Sequence, residues 1–122
     1  MPRQPSRTFT DRELEIMRVV WKRGEVSARQ IQESLPGDQH YNSVMTIIRV
    51  LEKKNHLTHR EHGRSHIYRA TVSPDTARTR VLKHLVKQVF GGSAASLVLN
   101  LVETGDLTAS DIEGIRRKMR KP

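Results

Sequence analysis

The chain has no cysteine, few aromatic residues and no long apolar run. Without cysteine there are no disulfides, no iron–sulfur cluster, no cysteine-ligated zinc and no thiol chemistry. Aromatic residues are 4% and apolar residues 35% of the 122 positions. The internal core is therefore modest, and a small domain with a thin core often needs a partner subunit to complete it. No apolar stretch approaches the 18 residues of a membrane span, so no membrane insertion is expected. The opening Met1–Thr10 is basic but has no apolar segment behind it, which is not the pattern of a secretory leader. A cytoplasmic location is the default expectation.

Basic residues are what the chain has in excess. Lys and Arg number 22 against 13 Asp and Glu, a net charge of +9, which favours a polyanionic partner. Residues 1–72 carry 13 basic and 8 acidic side chains, and residues 73–122 carry 9 and 5. With charge spread along the whole chain, position decides more than the total.

Residues 1–9, with Pro2 and Pro5, read as a flexible basic arm. Thr10 to Glu13 has the spacing of a capping box, and Leu14, Met17, Val20 and Trp21 recur at helical steps until Gly24. A short helix starts at Ser27, with Ala28, Ile31 and Leu35 on its inner face, and stops at Pro36-Gly37. A third runs from about Asn42 to Lys54 on a stripe of Val44, Ile47, Ile48 and Leu51, with Asn55 as its cap. From Leu57 the period changes to that of a hairpin: strands 57–62 and 65–70 around Gly63-Arg64, with Ile67, and Leu57 as a second candidate, facing in. Ser73-Pro74 restarts helix. Three helices follow, broken at Gly91-Gly92 and Thr104-Gly105. The expected class is mainly α with a small β hairpin. A winged helix-turn-helix domain spans 10–72, and a C-terminal three-helix dimerisation region spans 73–122.

Three helices and a hairpin place the third helix where a major groove admits one. Off its apolar stripe it carries Ser43, Thr46, Arg49, Val50 and Lys53. Arg49 suits guanine or a phosphate, Thr46 and Ser43 suit base edges or phosphates, and Val50 suits a thymine methyl or a half-buried seat. Asn42 lies near the helix start, where phosphate contacts are common. Lys53 and Lys54 are phosphate neutralisers, and Tyr41 either reaches a phosphate or packs its ring. Arg64 at the hairpin tip is the wing contact, with Arg60 in support. The plain alternative for all of these is a solvated basic face.

His56, His59, His62 and His66 crowd into eleven residues, but alternation along a strand separates them, and no metal or other cofactor is expected. No GxxxxGK[ST], HExxH or GxSxG motif is present, so an enzyme is not expected. In the last 50 residues, Val81, Leu82, Leu85, Val89, Leu97, Val98 and Leu101 exceed what a winged domain needs. They are expected to cross the two-fold of a homodimer.

Several segments together are similar to one family. Thr10-Asp11-Arg12-Glu13-Leu14-Glu15-Ile16-Met17 with Val20-Trp21 resembles its first helix. Tyr41-Asn42-Ser43-Val44-Met45-Thr46-Ile47-Ile48 and Leu51-Glu52-Lys53-Lys54 resemble its reading helix, and Gly63-Arg64 with Ile67-Tyr68 its wing. Gly91-Gly92-Ser93 and Leu97-Val98-Leu99-Asn100 resemble the entry to its dimerisation helices. Across about residues 9–119 the chain thus resembles the penicillinase/methicillin-resistance repressors (the BlaI/MecI family).

The resemblance implies a homodimeric winged-helix repressor of β-lactamase or related resistance genes. It would bind inverted-repeat double-stranded DNA operators with TACA/TGTA-type elements, in the cytoplasm on the nucleoid. It also implies a regulatory protease cutting in the dimerisation region. Asn100 stands at the family's Asn–Phe bond, with Leu101 in place of the phenylalanine. Ser43 stands where threonine is usual, and Val50 where arginine is common, with Arg49 one place earlier. Copper-responsive relatives use C-terminal cysteines, which this chain lacks. A winged protein with little DNA sequence preference and a protein–protein adaptor are the alternatives.

Overall fold

Helix α1 (Asp11–Arg23) starts on a reciprocal cap: Thr10 Oγ1 accepts from the Glu13 amide at 3.1 Å, and the Thr10 amide donates to Glu13 Oε1 at 3.0 Å. It ends at Gly24, whose φ of +84° is left-handed backbone that favours glycine. Ile16, Met17 and Val20 are buried, while Leu14, Val19 and Trp21 pack half-buried at the core margin. The inner face thus centres on Ile16, one residue-direction away from the Leu14 stripe expected. The computed structural model describes residues 8–120.

Ser27 and Gln30 repeat the reciprocal cap on α2 (Ala28–Ser34), with amide-to-oxygen distances of 3.2 and 2.9 Å. Helix α3 (Tyr41–Lys53) begins one residue earlier than expected and buries Val44, Ile48 and Leu51. It ends at Lys54 and is followed by Asn55 at φ +64°, a conformation asparagine tolerates better than most side chains. Strands β2 (Leu57–His62) and β3 (Ser65–Ala70) form the hairpin at the expected bounds.

A third strand, β1 (Val26–Ser27), was not expected; two residues are too short to show alternation. It pairs antiparallel with β3, Val26 opposite Tyr68, so β3 is central in the order β1-β3-β2. This corrects the hairpin's inner face. Register sets His59 opposite Tyr68 and Leu57 opposite Ala70, so Leu57 and Tyr68 share the face packed on the helices and are buried. Ile67 lies on the other face and is half-buried.

These elements enclose one core, from Ile16, Met17 and Val20 through Ile31, Val44, Ile48 and Leu51 to Leu57 and Tyr68. Two expectations change at its ends. Phe9 belongs to no loose arm: it is buried and stacks on His56 with ring centroids 4.4 Å apart. Residues 1–7 of that arm lie outside the described residues. At the other end, Ala77 is buried and Val81 packs against the same core. The opening turns of α4 (Pro74–Val89) therefore complete the first unit, and the division between compact units falls between Val81 and Leu82 rather than at 72/73.

The second unit holds the rest of α4 with α5 (Ala94–Glu103) and α6 (Ala109–Arg120). Ser93 caps α5 by accepting from the Ser96 amide. Thr108 and Asp111 cap α6 reciprocally at 3.0 and 3.1 Å. Among the described residues, neither α5 nor α6 buries a single side chain. No single helix is long and apolar enough to cross a membrane.

Candidate nucleic-acid interface

Helix α3 is anchored on one side by Val44, Ile48 and Leu51, which fixes what it shows on the other. Asn42, Thr46, Arg49 and Lys53 follow at four-, three- and four-residue steps, one face of a helix, and all are exposed. Thr46 Oγ1 donates to the Asn42 carbonyl at 2.9 Å, leaving its lone pairs to accept. Ser43 is exposed beside the strip, and half-buried Val50 lines a groove against the start of α1 with Ser43, Thr46 and Ile47. The seat on α1 thus accounts for part of Val50's surface. Among the described residues, Arg49, Lys53 and Arg64 join no ion pair.

The wing is tied to this helix. Glu52 of α3 accepts from His59 Nδ1 of β2 at 2.6 Å, a bond that puts the proton on Nδ1 because an ionised carboxylate only accepts. His59 stacks on His66 of β3, centroids 4.2 Å apart and planes 6° from parallel, and both rings meet Tyr68. Burial first, then the Glu52 carboxylate and Tyr41, push the Tyr68 phenol above its ordinary range, against a smaller lowering by Arg49. Tyr68 is therefore neutral wherever the protein works. Among the described residues no three metal-ligating side chains converge.

Two supporting candidates do not sit as expected. Lys54 is spent inside the fold: its Nζ lies 2.8 and 2.9 Å from the two Glu13 carboxylate oxygens and 3.1 Å from the Thr8 carbonyl. Both side chains are only 6% exposed, so Lys54 does not share the exposed face of α3 with Lys53. Glu13 likewise does more than cap a helix. Arg60 is exposed, but its Nε pairs with Glu25 at 2.8 Å, and register puts it on the sheet face opposite His59 and Tyr68.

One residue was missed. Arg29 of α2 stands with its Cζ 5.1 Å above the Tyr41 ring. Arg29, Tyr41, Arg64 and His66 line one cleft between α2, the start of α3 and the hairpin turn. A cation in a helix's first turn opposes the helix dipole, but nothing local in the sequence places Arg29 over Tyr41. Tyr41, expected either to reach a phosphate or to pack its ring beneath the helix start, is exposed, with its ring under the Arg29 guanidinium.

In the second unit, Leu82, Leu85, Val89 and Val98 are exposed, and Leu97 and Leu101 half-buried. Val81 is occupied by the core of the first unit. Leu99, Val102, Ile115 and Met119, outside the set expected to cross the two-fold, are exposed as well. The Asn100–Leu101 bond lies inside α5, where Asn100 is exposed and its carbonyl accepts from the Thr104 amide at 3.0 Å.

Comparison with known proteins gives a consistent set of likenesses. Residues 9–121 match the model of the penicillinase repressor family. The methicillin resistance regulatory protein MecI of Mammaliicoccus sciuri is 28% identical over 111 residues, covering 89% of this chain and 90% of the relative. The penicillinase repressor of Bacillus licheniformis is 26% identical over 107 residues, 85% and 83% of the two chains. An uncharacterised 16.5 kDa protein in the ptsI 3′ region of Latilactobacillus sakei is 29% identical over 106 residues, 85% and 73%.

Proposed function

Because the chain belongs to the penicillinase repressor family, we propose that it is a DNA-binding transcriptional repressor acting on resistance-type genes. It works as a cytoplasmic homodimer on an inverted-repeat operator. The observation that carries this is the exposed strip Asn42, Thr46, Arg49 and Lys53 on an otherwise anchored helix, together with an exposed Arg64 at the hairpin turn that joins no ion pair among the described residues. Arg49 reads a base, Thr46 and Ser43 accept or donate at base edges, and Lys53 and Arg64 neutralise phosphates. The relatives' printed names, a penicillinase repressor and a methicillin resistance regulator, support the sign and the class of gene.

Dimerisation is supported by the second unit, whose helices leave Leu82, Leu85, Val89, Val98 and Leu99 exposed together with Val102, Ile115 and Met119. A two-fold pairing that covers them would set two reading helices on one side, as a palindrome requires. Release by proteolysis at Asn100–Leu101 fits the same scheme, but the bond is helical. A protease reaches it only after α5 opens locally.

The test is selection of genomic fragments by the purified protein at two salt concentrations, with sedimentation at the same concentrations. A two-fold symmetric site near promoters, bound by a dimer, is expected. Fragments without a shared motif, lost alike as salt rises, would reduce the protein to a non-specific basic binder.

A further inference from the structure

Helix α2 opens against the electrostatic preference of helix starts. Its first turn has no acid and carries Arg29, where the partial positive charge of the free amides disfavours a cation. Arg29 joins no ion pair among the described residues; its guanidinium lies over the Tyr41 ring instead. That stack helps line a cleft of about 350 Å³ with Arg64, Ser65 and His66 of the hairpin, and with Met45 and Tyr68 of the interior. Among the described residues, no carboxylate lines the cleft. Two guanidiniums, an imidazole and several hydroxyls converge there with nothing of opposite sign.

A guanidinium held over an aromatic ring by cation–π attraction still has its N–H groups for paired bonds to phosphate oxygens. We infer that this cleft takes one backbone phosphate of the DNA in each half-site, held by Arg29 from α2 and Arg64 from the wing, with Tyr41 as the platform that orients Arg29. The assignment rests on the DNA-binding function proposed above. Because the cleft lies between the start of the reading helix and the wing, the phosphate held there sets the register of α3 in its groove. It carries no sequence information itself.

The experiment uses the full chain and the duplex recovered by selection. R29A is expected to bind specific and random DNA about tenfold more weakly, with the salt slope reduced by about 0.9, the value for one phosphate. R29K keeps the slope but loses affinity, since an ammonium does not stack as a planar fork does. Y41L, which removes the aromatic face under Arg29, falls with R29A. Neutral methylphosphonates placed one at a time along the duplex locate the phosphate: wild-type affinity drops at each contacted phosphate, and R29A is indifferent at one of these positions per half-site.

An unchanged methylphosphonate profile and slope in R29A, with the wild type still selecting its site, would overturn the clamp and leave the DNA reading standing. Failure of the wild type to retain any duplex overturns both. Inorganic phosphate and a mononucleotide are titrated in parallel, followed by NMR at His66. Saturation by either that the duplex does not displace would make the cleft a free-anion site and overturn the DNA assignment.

Discussion

The two units of this chain are built from similar helices and end up in opposite conditions. The first closes around fully buried Ile16, Met17, Val20, Ile31, Val44, Ile48 and Leu51 and seals a charged pair, Glu13–Lys54, within it. The second has well-capped helices and no buried side chain in α5 or α6, with Val89 64% and Met119 78% exposed. Caps and periodicity make a helix, and burial makes a domain. The first unit finds its burial within one chain, whereas the second leaves its apolar side chains exposed in the single chain.

The contrast can be broken most severely at the buried pair. Lys54→Met leaves the buried Glu13 without its countercharge, with the Thr10 amide still donating to it, which costs about 3–5 kcal/mol. Denaturant unfolding followed at Trp21, which lies in the first unit, should show this loss. A loss below about 1 kcal/mol would mean that water reaches the pair. In the second unit, Val98→Asp is expected to convert dimer to monomer by sedimentation. It should weaken binding to a palindrome by about 100-fold or more through lost bivalency, while the first unit keeps its unfolding midpoint. A V98D dimer of unchanged affinity would place the subunit contact elsewhere.

Smaller effects sharpen the DNA face. Arg49→Ala should lower specific affinity by about 1–3 kcal/mol and relax the operator at one position, and an unchanged operator-to-random ratio would remove Arg49 from base reading. Lys53→Ala should weaken all duplexes alike and reduce the salt slope by about 0.9. The smallest effect is at Asp111. The Thr108 amide and hydroxyl hold its carboxyl below the usual carboxylate range. A lowered folded value contributes stability that is complete above the unfolded value and lost as pH falls through the folded one. Fraying at the start of α6 should therefore appear only in acid, as a carboxyl NMR titration of Asp111 displaced downward. A titration at the ordinary value would show that the cap does not form in solution.

Much of the fold was legible because the signals are local. Thr10–Glu13, Ser27–Gln30 and Thr108–Asp111 announce helix starts over four residues, and the hairpin at 57–70 follows from alternation around Gly63-Arg64. The exposed strip of α3 followed from the spacing of Val44, Ile48 and Leu51. What was not legible involves partners far apart in the chain. Strand β1 exists only because Val26 finds Tyr68, and Arg29 matters only because α2 brings it over Tyr41.

The sequence by itself determined the order of the elements, their caps, the excess of positive charge and the apolar surplus of the last 50 residues. These depend on neighbours within a helical turn or on composition. Only the tertiary structure decided which cations face outward. Lys53 and Lys54 are adjacent and chemically identical, yet the first is exposed and the second meets Glu13, 41 positions earlier, in the interior. One residue of helical rotation, about 100°, separates solvent from core, and which way it falls depends on the chain that packs against it.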